Sequence, residues 1–281
     1  MSDSRPFHLV KFKASHNSFE RDERPVTEQL VWSNSQPHQA GCRGLELDLR
    51  ESPNLWSWSV HHDEYQGRVD AQLVEYLRHL RTWSRFEPRH DVITISLDLK
   101  AQARNRRQFP RWLDATIEEF LGCDLLFTPA GLMGSATSLV AGAMASGWPT
   151  LDELRGRFIF VLSGDEPTKA SYVGSARNRL CFADRRLGAG DPRPSLTEGD
   201  RVFYNLNATE DWDWHDALRW FARQPAFITR AYVANSADLW DRLLAADANI
   251  MSTDKVRNHL WARVGDRPFV DLGTVPHPPT V

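Results

Sequence analysis

The sequence has little from which to build cross-links. Its 281 residues include three cysteines, Cys42, Cys123 and Cys181, odd in number and without paired spacing. A disulfide framework is therefore excluded as the organising device, and the lack of any C-x-x-C pair removes the usual structural zinc site. No H-x-H or H-E-x-x-H pattern occurs, which argues against a zinc hydrolase with histidine ligands. Residues 1–19 contain no apolar stretch of signal-peptide length, and no run approaches the roughly 18 apolar residues of a membrane span. A cytoplasmic protein with no transmembrane segment is expected. The formal net charge of −3 leaves no basic excess, so nucleic acid is not an expected partner. Internal repeats and low-complexity tracts are also missing.

What is present is ample apolar material, 41% of the residues, enough for one large core. Eleven tryptophans are read as core packing. Short apolar runs suited to strands fall near residues 8–14, 43–49, 56–61, 91–98, 124–128, 157–163, 179–183, 201–206, 226–233 and 248–252. Helical spacing is found at 69–85, 107–121, 210–223 and 236–246, the second opening behind Pro110 with Leu113, Ile117 and Leu121 on one face. Strand–helix alternation without a compositional break implies a parallel sheet with helices outside it. At this length a single (β/α)8 barrel domain over residues 1–281 is the economical solution. Ten candidate strands exceed eight, so some mark edge strands or are not strands. Residues 129–149, small and weakly polar, suit an Ala-rich helix or plain loop better than a cover over a site, and residues 184–200 read as an exposed Gly/Pro-rich loop.

Chemistry gathers at a few strand ends. In Gly41-Cys42-Arg43-Gly44-Leu45-Glu46-Leu47-Asp48-Leu49, alternate residues share a face. Glu46 and Asp48 then point one way, and the three leucines point the other, toward packed helices. Two adjacent carboxylates repel, and removing them from water demands a proton or a cation. In Ile93-Thr94-Ile95-Ser96-Leu97-Asp98-Leu99-Lys100 the odd positions are apolar and the even positions polar, which places Asp98 at the C-terminal end of a strand, where barrels keep their sites. Lys100 follows as a candidate cation for a phosphate oxygen, and Arg230 joins it as a candidate substrate-binding residue. His16 and Asn17 follow the first strand, and His61 and His62 the third. Oxygen ligands select a hard cation such as Ca2+ or Mg2+, which leaves histidine free for proton transfer. Alternation leaves open whether His61 or His62 faces inward.

Taken in order, Ser15-His16-Asn17-Ser18-Phe19, Gly41 to Asp48, Val60-His61-His62-Asp63 and Ile95-Ser96-Leu97-Asp98 resemble the successive motifs of phosphoinositide-specific phospholipase C catalytic domains, with the bacterial calcium-dependent members most alike. Gly147-Trp148-Pro149-Thr150-Leu151-Asp152-Glu153-Leu154-Arg155-Gly156 and Ile250-Met251-Ser252-Thr253-Asp254 extend the resemblance across most of the chain. It implies a distorted (β/α)8 barrel, a divalent ion on Asn17, Glu46, Asp48 and Asp98, and His16 with His62 as the catalytic pair. Val60-His61-His62-Asp63-Glu64 also resembles the corresponding run of glycerophosphodiester phosphodiesterases, a register that favours His62. Asp98 stands where calcium-dependent members usually carry Glu, and the shorter ligand can shift preference from Ca2+ toward Mg2+. The implied substrate is a phosphodiester, phosphoinositide or another phospholipid head group, met in transient contact with a membrane surface. The alternatives are a glycerophosphodiester hydrolase and a barrel that binds phosphoinositide without turnover.

Overall fold

A computed structural model describes residues 3–21, 25–32, 40–51, 57–62, 72–174 and 178–274. The strands are β1 (Val10–Ser15), β2 (Gly44–Glu51), β3 (Trp58–Val60), β4 (Ile93–Leu99), β5 (Phe158–Gly164), β6 (Phe182–Arg186), β7 (Phe203–Asn207), β8 (Ile228–Tyr232), β9 (Ile250–Thr253) and β10 (Phe269–Asp271). Eight of them run parallel in the order β1-β9-β8-β7-β6-β5-β4-β2, and a β2–β1 pairing closes the ring. The short β3 and β10 lie antiparallel on the outer flanks of β2 and β1. The expected (β/α)8 barrel is thus present; of the expected strands beyond eight, 56–61 is the flanking β3, while β10 was not among those expected.

Helices α1 (Leu73–Phe86), α2 (Phe109–Phe120), α3 (Pro129–Met133), α4 (Leu139–Ser146), α5 (Glu166–Val173), α6 (Trp214–Ala222) and α7 (Ala237–Ala245) accompany the strands. In α2 the residues Phe109, Pro110, Leu113 and Ile117 are buried at helical spacing, with proline in the first turn where its missing N–H costs nothing. Ser236 caps α7 by accepting from Leu239 N, and Asp165 caps α5 by accepting from Thr168 N. Of the expected helix at 69–85, residues 69–71 lie outside the described residues.

Two apolar clusters form the core, one outside the barrel wall and one that also fills the N-terminal end of the barrel interior. One packs Leu45, Leu47, Leu49, Ile93, Ile95 and Leu97 against α1 and α2. The other joins β1 and β5–β9 to α4, α6 and α7. Each fully buried side chain of this kind contributes about 1.5–3 kcal/mol, and the polar residues of the interior gather toward the C-terminal strand ends. At the N-terminal end of the barrel, Trp148 packs its ring 5.6 Å from Phe7, 5.9 Å from Phe182 and 5.6 Å from Phe203. Trp58, Trp148, Trp214 and Trp240 are buried in the core, whereas Trp32, Trp83, Trp112, Trp212, Trp220 and Trp261 are only half-buried.

Residues 124–128 do not form a strand. Cys123–Leu125 makes a 3-10 turn, and Leu126 forms a single parallel bridge to Phe158. Gly122, at φ +102°, turns the chain out of α2, and Pro129 opens α3 too soon for a ladder to extend. Residues 129–149 hold α3 and α4, tied to the N-terminal end of the barrel through Phe7 N donating to Pro149 O. They lie on the face opposite the strand C-termini. Gly142 is required there, because a Cβ would lie 2.6 Å from Leu132 O.

The β1–β2 seam is thin. One residue pair, Ala14 with Gly44, belongs to the ladder. Arg43 N donates to Lys13 O at 2.8 Å, Glu46 N to Ser18 Oγ at 2.9 Å and Asn17 N to Glu46 Oε2 at 3.1 Å. Side chains from the strand ends thereby complete what the backbone leaves undone.

Candidate active site

The C-terminal strand ends collect the residues singled out above. Strand alternation turns Glu46 and Asp48 into the barrel, where they are 3% and 0% exposed. The parallel register sets Asp48 directly beside Asp98. One oxygen from each of Glu46, Asp48 and Asp98 lies within 4.8 Å of the others. Such a cluster needs positive charge, and the chain supplies some. Arg230 on β8 donates Nη2 to Glu46 Oε2 at 2.8 Å and to Ser252 Oγ at 3.0 Å, and Nη1 to Asn205 Oδ1 at 3.2 Å. Lys100 Nζ lies 2.6 Å from Asp98 Oδ2 and 3.0 Å from Asp48 Oδ2. Both residues expected to meet substrate thus rest on the acids.

The electrostatics follow from these neighbours. Burial works to raise the Glu46 carboxyl, but Arg230, His16, the Asn17 N–H and Lys100 outweigh it and hold Glu46 below its ordinary value. Asp48 is pushed up to about 6 by burial and by the Glu46 charge, against the pull of Lys100. Burial alone would lower the Lys100 ammonium, yet Asp98 and Asp48 keep it above its ordinary value.

His16 and Asn17 leave β1 together. His16 N donates to Thr253 O at 3.0 Å, and Asn17 adopts the left-handed conformation at φ 46° and ψ 55°. Asparagine tolerates that region better than other non-glycine residues. The turn sends the Asn17 N–H to Glu46. His16 Nδ1 is 2.9 Å from Asp254 Oδ1, and its Nε2 lies 3.8 Å from Glu46 Oε2. A carboxylate only accepts, so Nδ1 carries the proton and Nε2 faces the acidic cluster. Asp254 is fixed in turn by Asn235, whose Nδ2 donates to Asp254 Oδ2 at 2.5 Å and whose Oδ1 accepts from Asp254 N at 2.8 Å. The Tyr232 ring stacks on His16 at 5.9 Å.

On the opposite side His62 Nδ1 meets Asp48 Oδ2 at 2.9 Å, its side chain 49% exposed to an incoming substrate. Arg50 holds the His62 carbonyl with two donors. His61 turns away to Ser59 Oγ at 3.0 Å. The structure therefore brings His62, not His61, to the acids. Asp63 and Glu64 of the same motif lie outside the described residues.

Asp254, Asn235 and Tyr232 were not singled out as site residues in the sequence. The available signal was an acid directly after a strand, in the run Ile250-Met251-Ser252-Thr253-Asp254. Its partner became visible only once β9 lay beside β1.

The residues fit a hard divalent cation. Asp48 Oδ2 is engaged by His62 and Lys100, but Asp48 Oδ1 is buried with no hydrogen-bond partner, and so is Asn17 Oδ1. Buried unsatisfied oxygens are uncommon in native proteins. Two of them beside clustered carboxylates make an oxygen-only donor set of the kind that Ca2+ or Mg2+ takes.

A parallel barrel with clustered acids and two carboxylate-anchored histidines at its C-terminal mouth is the architecture of the phospholipase C-like phosphodiesterase superfamily. The model of the family described as phosphoinositide phospholipase C, Ca2+-dependent, matches residues 60–209, more than half of the chain. The chain belongs to that family. His62, Asp98 and Lys100 fall inside the matched span; His16, Asn17, Glu46 and Asp48 precede it. Among solved structures, the chain is similar to a Ca2+-dependent phosphatidylinositol-specific phospholipase C from Streptomyces antibioticus, at 21% identity and a TM-score of 0.76, covering 96% of this chain and 100% of that one. It is also similar to a calcium-dependent phosphoinositol-specific phospholipase C from a Pseudomonas species, at 19% identity and a TM-score of 0.73, covering 96% of each chain. A glycerophosphodiester phosphodiesterase from Parabacteroides distasonis gives 10% identity and a TM-score of 0.53, covering 91% of this chain and 95% of that one. At these identities the likeness speaks for the fold. No curated protein matches the chain. No described helix is long and apolar enough to cross a membrane.

Proposed function

We propose that this chain cleaves the head-group phosphodiester of a phosphoinositide, with a divalent cation on Asn17, Glu46, Asp48 and Asp98 and with His16 and His62 moving the protons. The observation that carries the proposal is the pair of unpartnered buried oxygens, Asp48 Oδ1 and Asn17 Oδ1, together with two histidines that are each anchored through Nδ1. Calcium held there would draw charge from a phosphoryl oxygen and lower the pKa of a nearby hydroxyl.

The protein's own residues do the rest. Because Asp254 and Asp48 hold the Nδ1 protons, both Nε2 atoms are free to face substrate. A substrate hydroxyl next to the phosphodiester attacks phosphorus and gives its proton to one histidine. The phosphorus–oxygen bond to the lipid breaks, and the departing oxygen takes a proton from the other. Arg230 keeps Glu46 ionised for its role as ligand. The Tyr232 ring forms one wall of the mouth beside His16.

The test is product analysis. Protein with Ca2+ and phosphatidylinositol in mixed micelles, followed by phosphorus NMR, should yield a cyclic inositol phosphate, and a strong chelator should abolish turnover. Glycerol phosphate from soluble glycerophosphodiesters, with no cyclic product, would instead favour the glycerophosphodiesterase reading. Tight ligand binding without turnover of any phosphodiester would favour the non-catalytic one.

A further inference from the structure

Two of the three clustered acids share one cation of the chain's own, Lys100. The ladder pairs Asp48 with Asp98. Lys100, two residues beyond Asp98, projects to the same side of the strand. Its backbone N–H is fixed to Leu49 O at 3.1 Å, level with the end of β2. From that anchor the side chain reaches back to Asp98 at 2.6 Å and Asp48 at 3.0 Å, its head only 21% exposed.

We propose that Lys100 is a competing occupant of the acidic cluster: a divalent cation enters by displacing its ammonium from Asp48 and Asp98, so divalent affinity is set by an exchange of two cations. The inference rests on the reading of these acids as a metal site.

The geometry allows little else. A divalent ion bridging the two carboxylates would sit about 2.3–2.6 Å from their oxygens. An ammonium within 3.0 Å of the same pair occupies that shell, and two cations there would repel strongly in a poorly solvated site. Asp48 Oδ2 holds Lys100, whereas Asp48 Oδ1 and Asn17 Oδ1 are buried without a partner and remain available to an ion that displaces the ammonium. Once displaced, the ammonium remains tethered at the rim, where a phosphodiester oxygen arrives. The residue thus serves in turn as a counter-ion to the empty site and as a contact for the substrate. Arg230 does not take part in this exchange, because it is buried and held by three partners, Glu46, Ser252 and Asn205.

The test compares wild type with Lys100→Met by calorimetric titration of CaCl2 into metal-free protein, with melting temperatures recorded with and without Ca2+. Removing the internal competitor should tighten Ca2+ binding at least tenfold. It should also lower the melting temperature of the metal-free variant and enlarge its rise on adding Ca2+. Should Lys100→Met fold only with Ca2+ present, that too supports the exchange, since the acids then need an external cation. Lys100→Arg, which keeps the charge, should bind Ca2+ no more tightly than wild type. Equal or weaker Ca2+ affinity in Lys100→Met, or a tenfold gain in Lys100→Arg, would overturn the exchange while leaving the metal site intact. Loss of Ca2+ binding from all three proteins would overturn the metal-site reading, and the exchange with it.

Discussion

The Asp254 carboxylate touches no acid of the cluster, yet the geometry gives it a large effect on turnover. Its Oδ1 holds the His16 Nδ1 proton at 2.9 Å, and Asn235 fixes its other oxygen. Asp254→Asn preserves the size of the side chain but removes the charge. The amide can also present its NH2 group to Nδ1, which favours the tautomer with the proton on Nε2. A hydrogen bond to a charged group contributes about 1.5–3 kcal/mol. At about 1.4 kcal/mol per tenfold in rate, its loss should lower kcat about 10–150-fold. Asp254 acts through the histidine and does not reach the substrate, so KM should stay within about threefold. Half-burial of the carboxylate keeps the stability cost small. The assay is steady-state hydrolysis of phosphatidylinositol micelles at saturating Ca2+, with melting temperatures measured in parallel. If Asp254→Asn retains kcat within about threefold of wild type while His16→Ala is inactive, the orientation argument fails.

Other expectations follow from the same geometry. His62→Ala should lower kcat by about 100-fold or more, the usual scale of lost proton-transfer catalysis. His61→Ala, which removes a ring turned toward Ser59, should stay within about threefold; equal losses would reassign the register. Burial and the neighbouring Glu46 charge raise Asp48 to about 6. A raised carboxyl favours the metal-free fold below its ordinary value near 4, and that stability is lost as pH climbs through about 6. A ligand must be deprotonated, so Ca2+ affinity should rise over the same interval, about tenfold from pH 5 to pH 7; a calorimetric affinity flat with pH would contradict this. Gly44→Ala would place a Cβ 2.6 Å from Ala14 Cβ. It should cost about 1–3 kcal/mol in urea unfolding, and an unchanged midpoint would show that the seam yields.

Some of this architecture was legible in the sequence because burial on two faces leaves a pattern. In β2 and β4 the leucines and isoleucines must pack against helices, so the intervening Glu46, Asp48 and Asp98 had to face the barrel interior. The short helices were harder to see. In α4 the small residues Ala141, Gly142, Ala143 and Ala145 dilute the apolar period, and what fixes the helix is its close crossing with α3. The strand β10 has three residues, too few to show alternation. Lys100 and Arg230 were recognisable as site cations, but that they rest on the acids depends on ladder register, which single-strand patterning does not contain. Asp254 posed the same difficulty, since its importance lies in a histidine 238 positions away.

The weak β1–β2 seam ties the candidate site to folding on one side of the mouth. Glu46, a proposed metal ligand, also latches the closing strands by accepting from the Asn17 backbone N–H. Drift that discards Glu46 would loosen the barrel itself, so selection for a folded chain guards that carboxylate without any regard to activity. Asp254 and Tyr232, reached from β8 and β9, have no such protection. A descendant without any phosphodiesterase activity should lose those residues first and keep Glu46 as a relic of the latch.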